Sequence, residues 1–269
     1  MVLRVVQWKD GRELAMKVVP KRALDNRSRL ALAREVVVSR DLTGVRNVAR
    51  FEEAFEDDRN VYLVTEFLAG GDLHSRIVSH HNGRFSEDAV LRLASQMFDV
   101  VGQLHAKGIA HRDIKLENFV FATDASLEEQ QIKLIDFGLC HYRKPGGELF
   151  SRVHCGTLQF AAPEVIKGES YIPEHADMWS MGVVLFAMLT GELPFQSVSE
   201  SVLRKQIIAG FPSQIAVRSR IWPSVSRDLS KLLSSLMTLD TSQRPTAIAA
   251  GRAIDAILLA QRQDSAHCT

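Results

Sequence analysis

The chain has 269 residues, 46% hydrophobic and 24% charged, which is enough for one large domain or two lobes sharing a core. A net charge of +1 gives no electrostatic case for a nucleic-acid or membrane surface. Cys140, Cys155 and Cys268 are odd in number, scattered and without metal spacing, so a disulfide framework is excluded and a reducing cytosol suits the chain.

The opening residues are too short an apolar run for a signal peptide, and Val2 is not a myristoylation acceptor. No stretch reaches the ~18 apolar residues of a membrane span. The expectation is a cytoplasmic monomer with no membrane or nucleic-acid partner. Residues 2–8 and 13–19 are rich in β-branched and apolar side chains, and Asp10-Gly11 between them signals a hairpin. Residues 24–42 read as a helix with Leu30, Leu32, Val36 and Val37 among its apolar positions. Two more strands follow at 50–55 and 61–66, and Gly70-Gly71 breaks the second. Ser86-Glu87-Asp88 opens a helix whose apolar positions run from Val90 to Leu104, and Gly108 stops it. Residues 119–121 and 132–135 read as short strands around a polar loop at 123–131. The run Val183-Val184-Leu185-Phe186-Ala187-Met188-Leu189 is apolar on all sides, so the helix carrying it within 171–191 must be buried. Residues 247–262 form a last helix, and 263–269 a tail.

The chemistry concentrates in His111-Arg112-Asp113-Ile114-Lys115-Leu116-Glu117-Asn118, which reads H-R-D-I-K-L-E-N. Five specified identities at fixed offsets arise by chance in a chain of this length on the order of 10⁻⁴ of the time. The stretch resembles the catalytic loop of protein kinases. Phosphoryl transfer needs a carboxylate for the hydroxyl nucleophile, a metal-binding group and positive charge near the moving phosphate. By that resemblance Asp113, Asn118 and Lys115 fill the three roles. Asp136-Phe137-Gly138 is similar to the kinase D-F-G, which implies that Asp136 chelates magnesium on the phosphates of ATP, together with Asn118. The two strands between Asn118 and Asp136 could return both ligands to one place.

The same resemblance extends forward and back. Leu14-Ala15-Met16-Lys17 looks like the V-A-I-K strand, so Lys17 would hold the α- and β-phosphates; alone it would be an ordinary solvated strand lysine. Glu35, eighteen residues on, would pair with it, unless it is a plain exposed helix glutamate. Tyr62-Leu63-Val64-Thr65-Glu66-Phe67 resembles the last small-lobe strand and hinge. Thr65 would then guard the back of the adenine pocket, the backbones of Glu66 and Leu68 would meet the adenine edge, and Ala15 and Val120 would line the nucleotide site. Asp72 either lies near the ribose and the basic residues of a peptide substrate or caps a helix.

Asp136 to Glu164 resembles an activation segment ending in Ala162-Pro163-Glu164. Lys115 and Gly156-Thr157 are features of serine/threonine kinases, with Thr157 expected to bond Asp113 and Lys115. Arg112 implies a loop phosphate, but the usual acceptor position, four before Thr157, is Val153. Ser151 is a fallback acceptor; otherwise the loop orders itself without phosphorylation. Asp177, in a D-x-W-S-x-G match, would hold the catalytic-loop backbone, and Arg244 would pair with Glu164. Cys140 and Cys155 would flank the active site, as reactive thiols or as ordinary small buried residues.

The chain is therefore identified as a member of the serine/threonine protein kinase family over residues 2 to about 260. Its closest likeness is to the calcium/calmodulin-dependent and calcium-dependent branch, on E-F-L-A-G-G-D-L at 66–73, I-K-L-I-D-F-G-L at 132–139, and 222–233. The resemblance implies an α+β bilobal fold: a kinase domain at 1–262, with a β-rich N-lobe at 1–68, a hinge at 66–69 and a helical C-lobe at 70–262. It implies ATP and Mg²⁺ as cofactors and protein substrates, with Glu117, and Asp72 if it lies there, favouring basic residues near the acceptor. No D-x-D-x-D-G loop occurs, so a calcium-sensor partner or domain would lie outside this chain. The family's G-x-G-x-x-G-x-V ends on a valine that falls at Val2, so Val2 would touch nucleotide while the glycine loop and its strand are missing, and the N-lobe is expected to be truncated at its first strand. Two readings follow: an active ATP-dependent serine/threonine kinase, or a catalytically impaired kinase-fold regulatory or scaffolding module.

Overall fold

The computed structural model describes residues 1–127, 130–143, 146–211 and 221–267. Strands β1 (Val2–Val6) and β2 (Glu13–Pro20) form the hairpin expected from Asp10-Gly11. Gly11 adopts φ +73°, and Asp10 Oδ1 accepts the Arg12 N–H at 3.1 Å, so the turn closes on its own side chain. Helix α1 (Asn26–Asp41) starts where the Asp25 carboxylate accepts the Ser28 N–H at 2.7 Å. β3 (Phe51–Glu56) and β4 (Asn60–Glu66) complete an antiparallel sheet in the order β1-β2-β4-β3.

Register decides what this sheet offers the rest of the molecule. Val2 lies opposite Lys17, Ala15 opposite Thr65, and Lys17 opposite Leu63. With a side-chain period of two, Ala15, Lys17, Leu63 and Thr65 share one face. Only a narrow line of α1, Leu32, Glu35 and Val38, is buried. Leu30 and Val37, read from sequence as apolar helix positions, are 69% and 51% exposed. A buried line spaced by three turns both outward.

The helical lobe comprises α2 (Leu73–Ser79), α3 (Glu87–Ala106), α4 (Pro163–Lys167), α5 (Pro173–Thr190), α6 (Glu200–Ala209), α7 (Arg227–Leu236) and α8 (Ala247–His267). Ser86 caps α3 by accepting the Ala89 N–H at 3.3 Å. As its all-round apolar sequence requires, α5 is buried from Ala176 through Thr190, apart from Ser180. α8 runs past Arg262 to His267, through residues read from sequence as a tail; Cys268 and the end of that tail lie outside the described residues.

Short strands fasten the loops to this body. β5 (Ile109–Ala110) pairs with β8 (His141–Tyr142), and β6 (Phe119–Phe121) with β7 (Ile132–Leu134). The connector between α1 and β3 is stitched to β7. Leu134 N–H donates to the Asn47 carbonyl at 2.8 Å, and Ala49 N–H to the Leu134 carbonyl at 3.1 Å. Asn47 is buried in the left-handed region at φ +61°, where its Nδ2 donates to the Ile132 carbonyl at 2.6 Å and to Gln96 Oε1 at 3.0 Å. The expected α+β fold, a small antiparallel sheet over a helical lobe, is borne out.

Candidate active site

Between sheet and helices lies a cleft of about 260 Å³. Val2, Ala15, Lys17, Glu35, Thr65, Glu66, Leu68, Val120 and Asp136 all line it. Ser39, Ala49, Phe51, Leu63, Phe67, Ile135 and Phe137 line it too. Reading the sequence did not assign these to the cleft, because nothing local in a linear chain separates a cleft-lining side chain from a core one. Thr65 sits opposite Ala15, so two small side chains face each other across β2 and β4 and leave room for a flat group.

At the polar end, Lys17 Nζ donates to Glu35 Oε1 at 2.6 Å and to Asp136 Oδ1 at 3.1 Å. Burial works against the Lys17 ammonium, but Glu35 and Asp136 more than offset it and its pKa is raised. Burial pushes the Asp136 carboxyl up; Lys17 and the Gly138 N–H outweigh that, and the group is held below its usual range, as an anion. Asp136 is at φ +62°, a strained conformation for a non-glycine residue. It is supported by the Gly138 N–H on its Oδ1 at 3.2 Å and by Phe137, buried with its ring edge-on to His111 at 5.4 Å.

The second cluster is the loop 111–118. Asp177, buried at the start of α5, accepts the backbone N–H groups of His111 and Arg112 at 2.8 Å each and bonds His105 Nε2 at 2.9 Å. Those bonds hold Arg112 at φ +63°. Asp113 Oδ1 then accepts the Thr157 hydroxyl at 2.8 Å and its N–H at 3.1 Å. Lys115 Nζ lies 2.9 Å from Asp113 Oδ2 and donates to Thr157 Oγ1 at 3.2 Å. Asn118 Nδ2 donates to the Asp113 carbonyl at 2.7 Å, and the Ile135 N–H donates to the Asn118 carbonyl at 3.0 Å. The β6–β7 hairpin thus brings Asn118 back beside the strand end that carries Asp136.

Asp72 is placed elsewhere. Its carboxylate caps α2, accepting the Ser75 N–H at 2.8 Å and the Ser75 hydroxyl at 2.9 Å, and it does not line the cleft. The carboxylate thus fills the helix-cap role, one of the two readings the sequence offered for it. Ser151 is buried, and its hydroxyl accepts Arg112 Nη1 at 3.4 Å while Arg112 Nε donates to the Leu139 carbonyl at 2.7 Å. Glu164 and Arg244 form the expected pair at 2.6 Å.

Cys140 is 1% exposed, and burial pushes its thiol up to about 11; the half-buried Cys155 is also raised by burial. A thiol so protonated is a poor nucleophile. Alkylation of the folded protein at neutral pH is expected to spare Cys140 and reach it only in denaturant. Rapid labelling of Cys140 in native buffer, read by peptide mass, would contradict this.

Two lobes, a lysine held by a helix glutamate and by the aspartate of D-F-G, and a loop presenting a carboxylate beside a lysine define a protein kinase catalytic core. A family model, "Protein kinase domain", matches residues 1–253, and the chain belongs to that family. It is 38% identical over 238 residues to "CDPK-related kinase 1" of Arabidopsis thaliana, covering 88% of this chain and 40% of that protein. "Calcium-dependent protein kinase 25" of Arabidopsis thaliana is 37% identical over 238 residues (88% and 44%), and "Calcium-dependent protein kinase 28" of Oryza sativa subsp. japonica 39% over 239 (88% and 43%). These relatives bear out the likeness to the calcium-dependent branch. The chain spans about two-fifths of the length of the curated relatives it matches. No described helix is long and apolar enough to cross a membrane.

Proposed function

We propose that this chain is the catalytic core of an ATP-dependent serine/threonine protein kinase, its domain spanning residues 1–262 with the hinge at 66–69. The observation that carries the reading is Lys17 bonded at once to Glu35 and Asp136 at one end of a purine-sized cleft. A strained aspartate aligned on a half-buried ammonium supports the catalytic reading over that of a scaffold alone.

The residues fit magnesium and nucleotide. Asp136 would offer its carboxylate, whose Oδ1 also receives Lys17 and the Gly138 N–H, and Asn118 a neutral amide oxygen; a hard cation with few protein ligands asks for such a set. Bound there, Mg²⁺ would supply positive charge against the phosphate oxygens. The faces of Ala15, Val120 and Leu68 would sandwich the purine, and the Glu66 carbonyl and Leu68 N–H would read its edge. Lys17 would orient the α- and β-phosphates. Asp113 would align the acceptor hydroxyl and take its proton, while Lys115 would balance charge on the transferring group. Thr157 fixes Asp113 from the substrate side, and its place beside Lys115 supports a serine or threonine acceptor.

For the substrate, exposed Glu117 and Glu192 line a groove of about 520 Å³ running from Thr157 past Phe160. Two carboxylates there favour basic residues near the acceptor. Calcium control, as the relatives' names carry it, would act from outside these residues through a sensor partner or domain. A peptide set with serine, threonine or tyrosine as acceptor, with and without flanking arginines, tests the specificity. Phosphate on serine and threonine, improved by arginine, is expected; phosphate on tyrosine would overturn it.

A further inference from the structure

Glu66 does two things at once. Its backbone begins the hinge, while its side chain turns behind it. Oε1 accepts the Arg50 N–H at 2.6 Å and the Lys133 ammonium at 2.6 Å. Both side chains are largely covered, Glu66 at 19% and Lys133 at 16% exposed. Arg50 stands at the entrance of β3 in the sheet lobe, and returns the bond by accepting the Glu66 N–H on its carbonyl at 2.9 Å. Lys133 is the middle residue of β7, directly opposite Val120 of the cleft floor. One carboxylate oxygen therefore ties a strand of each lobe to the residue that starts the segment between them.

The surroundings make this a seam. The connector 47–50 already runs along β7 through backbone bonds, so Lys133 and Glu66 close its far end. A carboxylate this well covered is costly to leave without its cation, since solvent cannot replace the lost partner. With Lys133 removed, the Glu66 carboxylate would keep only the Arg50 N–H, and the cost of a largely covered, uncompensated charge would fall on the hinge backbone that begins at Glu66. The tie coexists with the closed Lys17–Glu35 and Lys17–Asp136 pairs, so it belongs to the assembled arrangement of the cleft.

We infer that Lys133, acting through Glu66, is a positioning residue for nucleotide binding: it sets the hinge backbone that meets the purine and takes no part in phosphate chemistry. This rests on the reading of the cleft as a Mg-ATP site. Lys133→Met is expected to weaken Mg-ATP binding and raise its KM about tenfold, the scale of one charge-assisted hydrogen bond, with kcat and the peptide KM within about twofold. Lys133→Arg, which keeps the cation, restores the KM. Amide exchange at residues 66–69 speeds up in the methionine variant and not in the arginine one. Glu66→Gln, which keeps the Arg50 bond and loses the ion pair, shows the same split to a smaller degree, and decides the matter should Lys133→Met fold poorly. A folded Lys133→Met that binds Mg-ATP as tightly as the parent, with unchanged exchange at 66–69, overturns the inference, as does a fall in kcat with KM untouched. If the parent chain binds no Mg-ATP, the kinase reading fails instead, and exchange at 66–69 alone decides whether the tie sets the hinge.

Discussion

Asp113→Asn is expected to lower kcat by ~10²–10⁴, the range for removing a positioned general base, while melting temperature and Mg-ATP binding stay as in the parent. Asparagine has nearly the same shape, and its amide oxygen can still accept from Thr157, whose hydroxyl lies 2.8 Å from Asp113 Oδ1. What it loses is the anion. Lys115, 2.9 Å from Oδ2, would then face an amide and lose its nearest counter-charge. The backbone frame does not depend on Asp113, because Asp177 anchors the loop through His111 and Arg112. Steady-state kinetics beside a thermal melt separates the two effects. An unchanged kcat would remove Asp113 from the role of base.

Arg244→Met is expected to cost about 3–5 kcal/mol of stability, the range for breaking one side of a buried ion pair, or a fall of ~6–20 °C in melting temperature. The Arg244 side chain is 0% exposed. It bonds Glu164 twice, at 2.6 and 2.9 Å, and donates to the carbonyls of Thr238 and His175 at 3.0 Å each. It also stacks over Trp179, 5.1 Å from the ring centre. Without it, the Glu164 carboxylate at the start of α4 stays buried and unpaired. Removing Glu164 as well should restore part of the loss, because two apolar residues leave no orphan charge. Urea titration of the single and double variants measures both. A single variant as stable as the parent would show that the pair is not structural.

Much of this site was legible because its residues sit in loops that carry fixed short patterns. Asp113, Lys115 and Asn118 lie within six positions, and Asp136 follows one hairpin later, so local spacing nearly fixes their geometry. The strand face was also legible, since Ala15 and Lys17 are two apart and strand side chains alternate. What stayed hidden depends on pairings across the chain. Glu66 and Lys133 are 67 residues apart, and although each lies in a short pattern, neither pattern says that the two side chains meet. Leu30 and Val37 look like core positions in sequence, but which side of α1 meets the sheet is set by where Glu35 must reach Lys17. Asp72 carried two equally valid local readings, and the cap became visible only through its hydrogen bonds from Ser75. The last helix outran its apolar pattern, continuing from Arg262 to His267 where sequence alone suggested a tail.

The most direct measurement is transfer of labelled γ-phosphate from Mg-ATP to a serine peptide bearing basic residues, by this chain and by Asp136→Asn. Phosphoserine formed by the parent and lost in the variant, with the variant still folded, is the expected result. No phosphoserine from the folded parent, or equal transfer by both proteins, would contradict a catalytic role for the cleft in which Lys17, Glu35 and Asp136 meet.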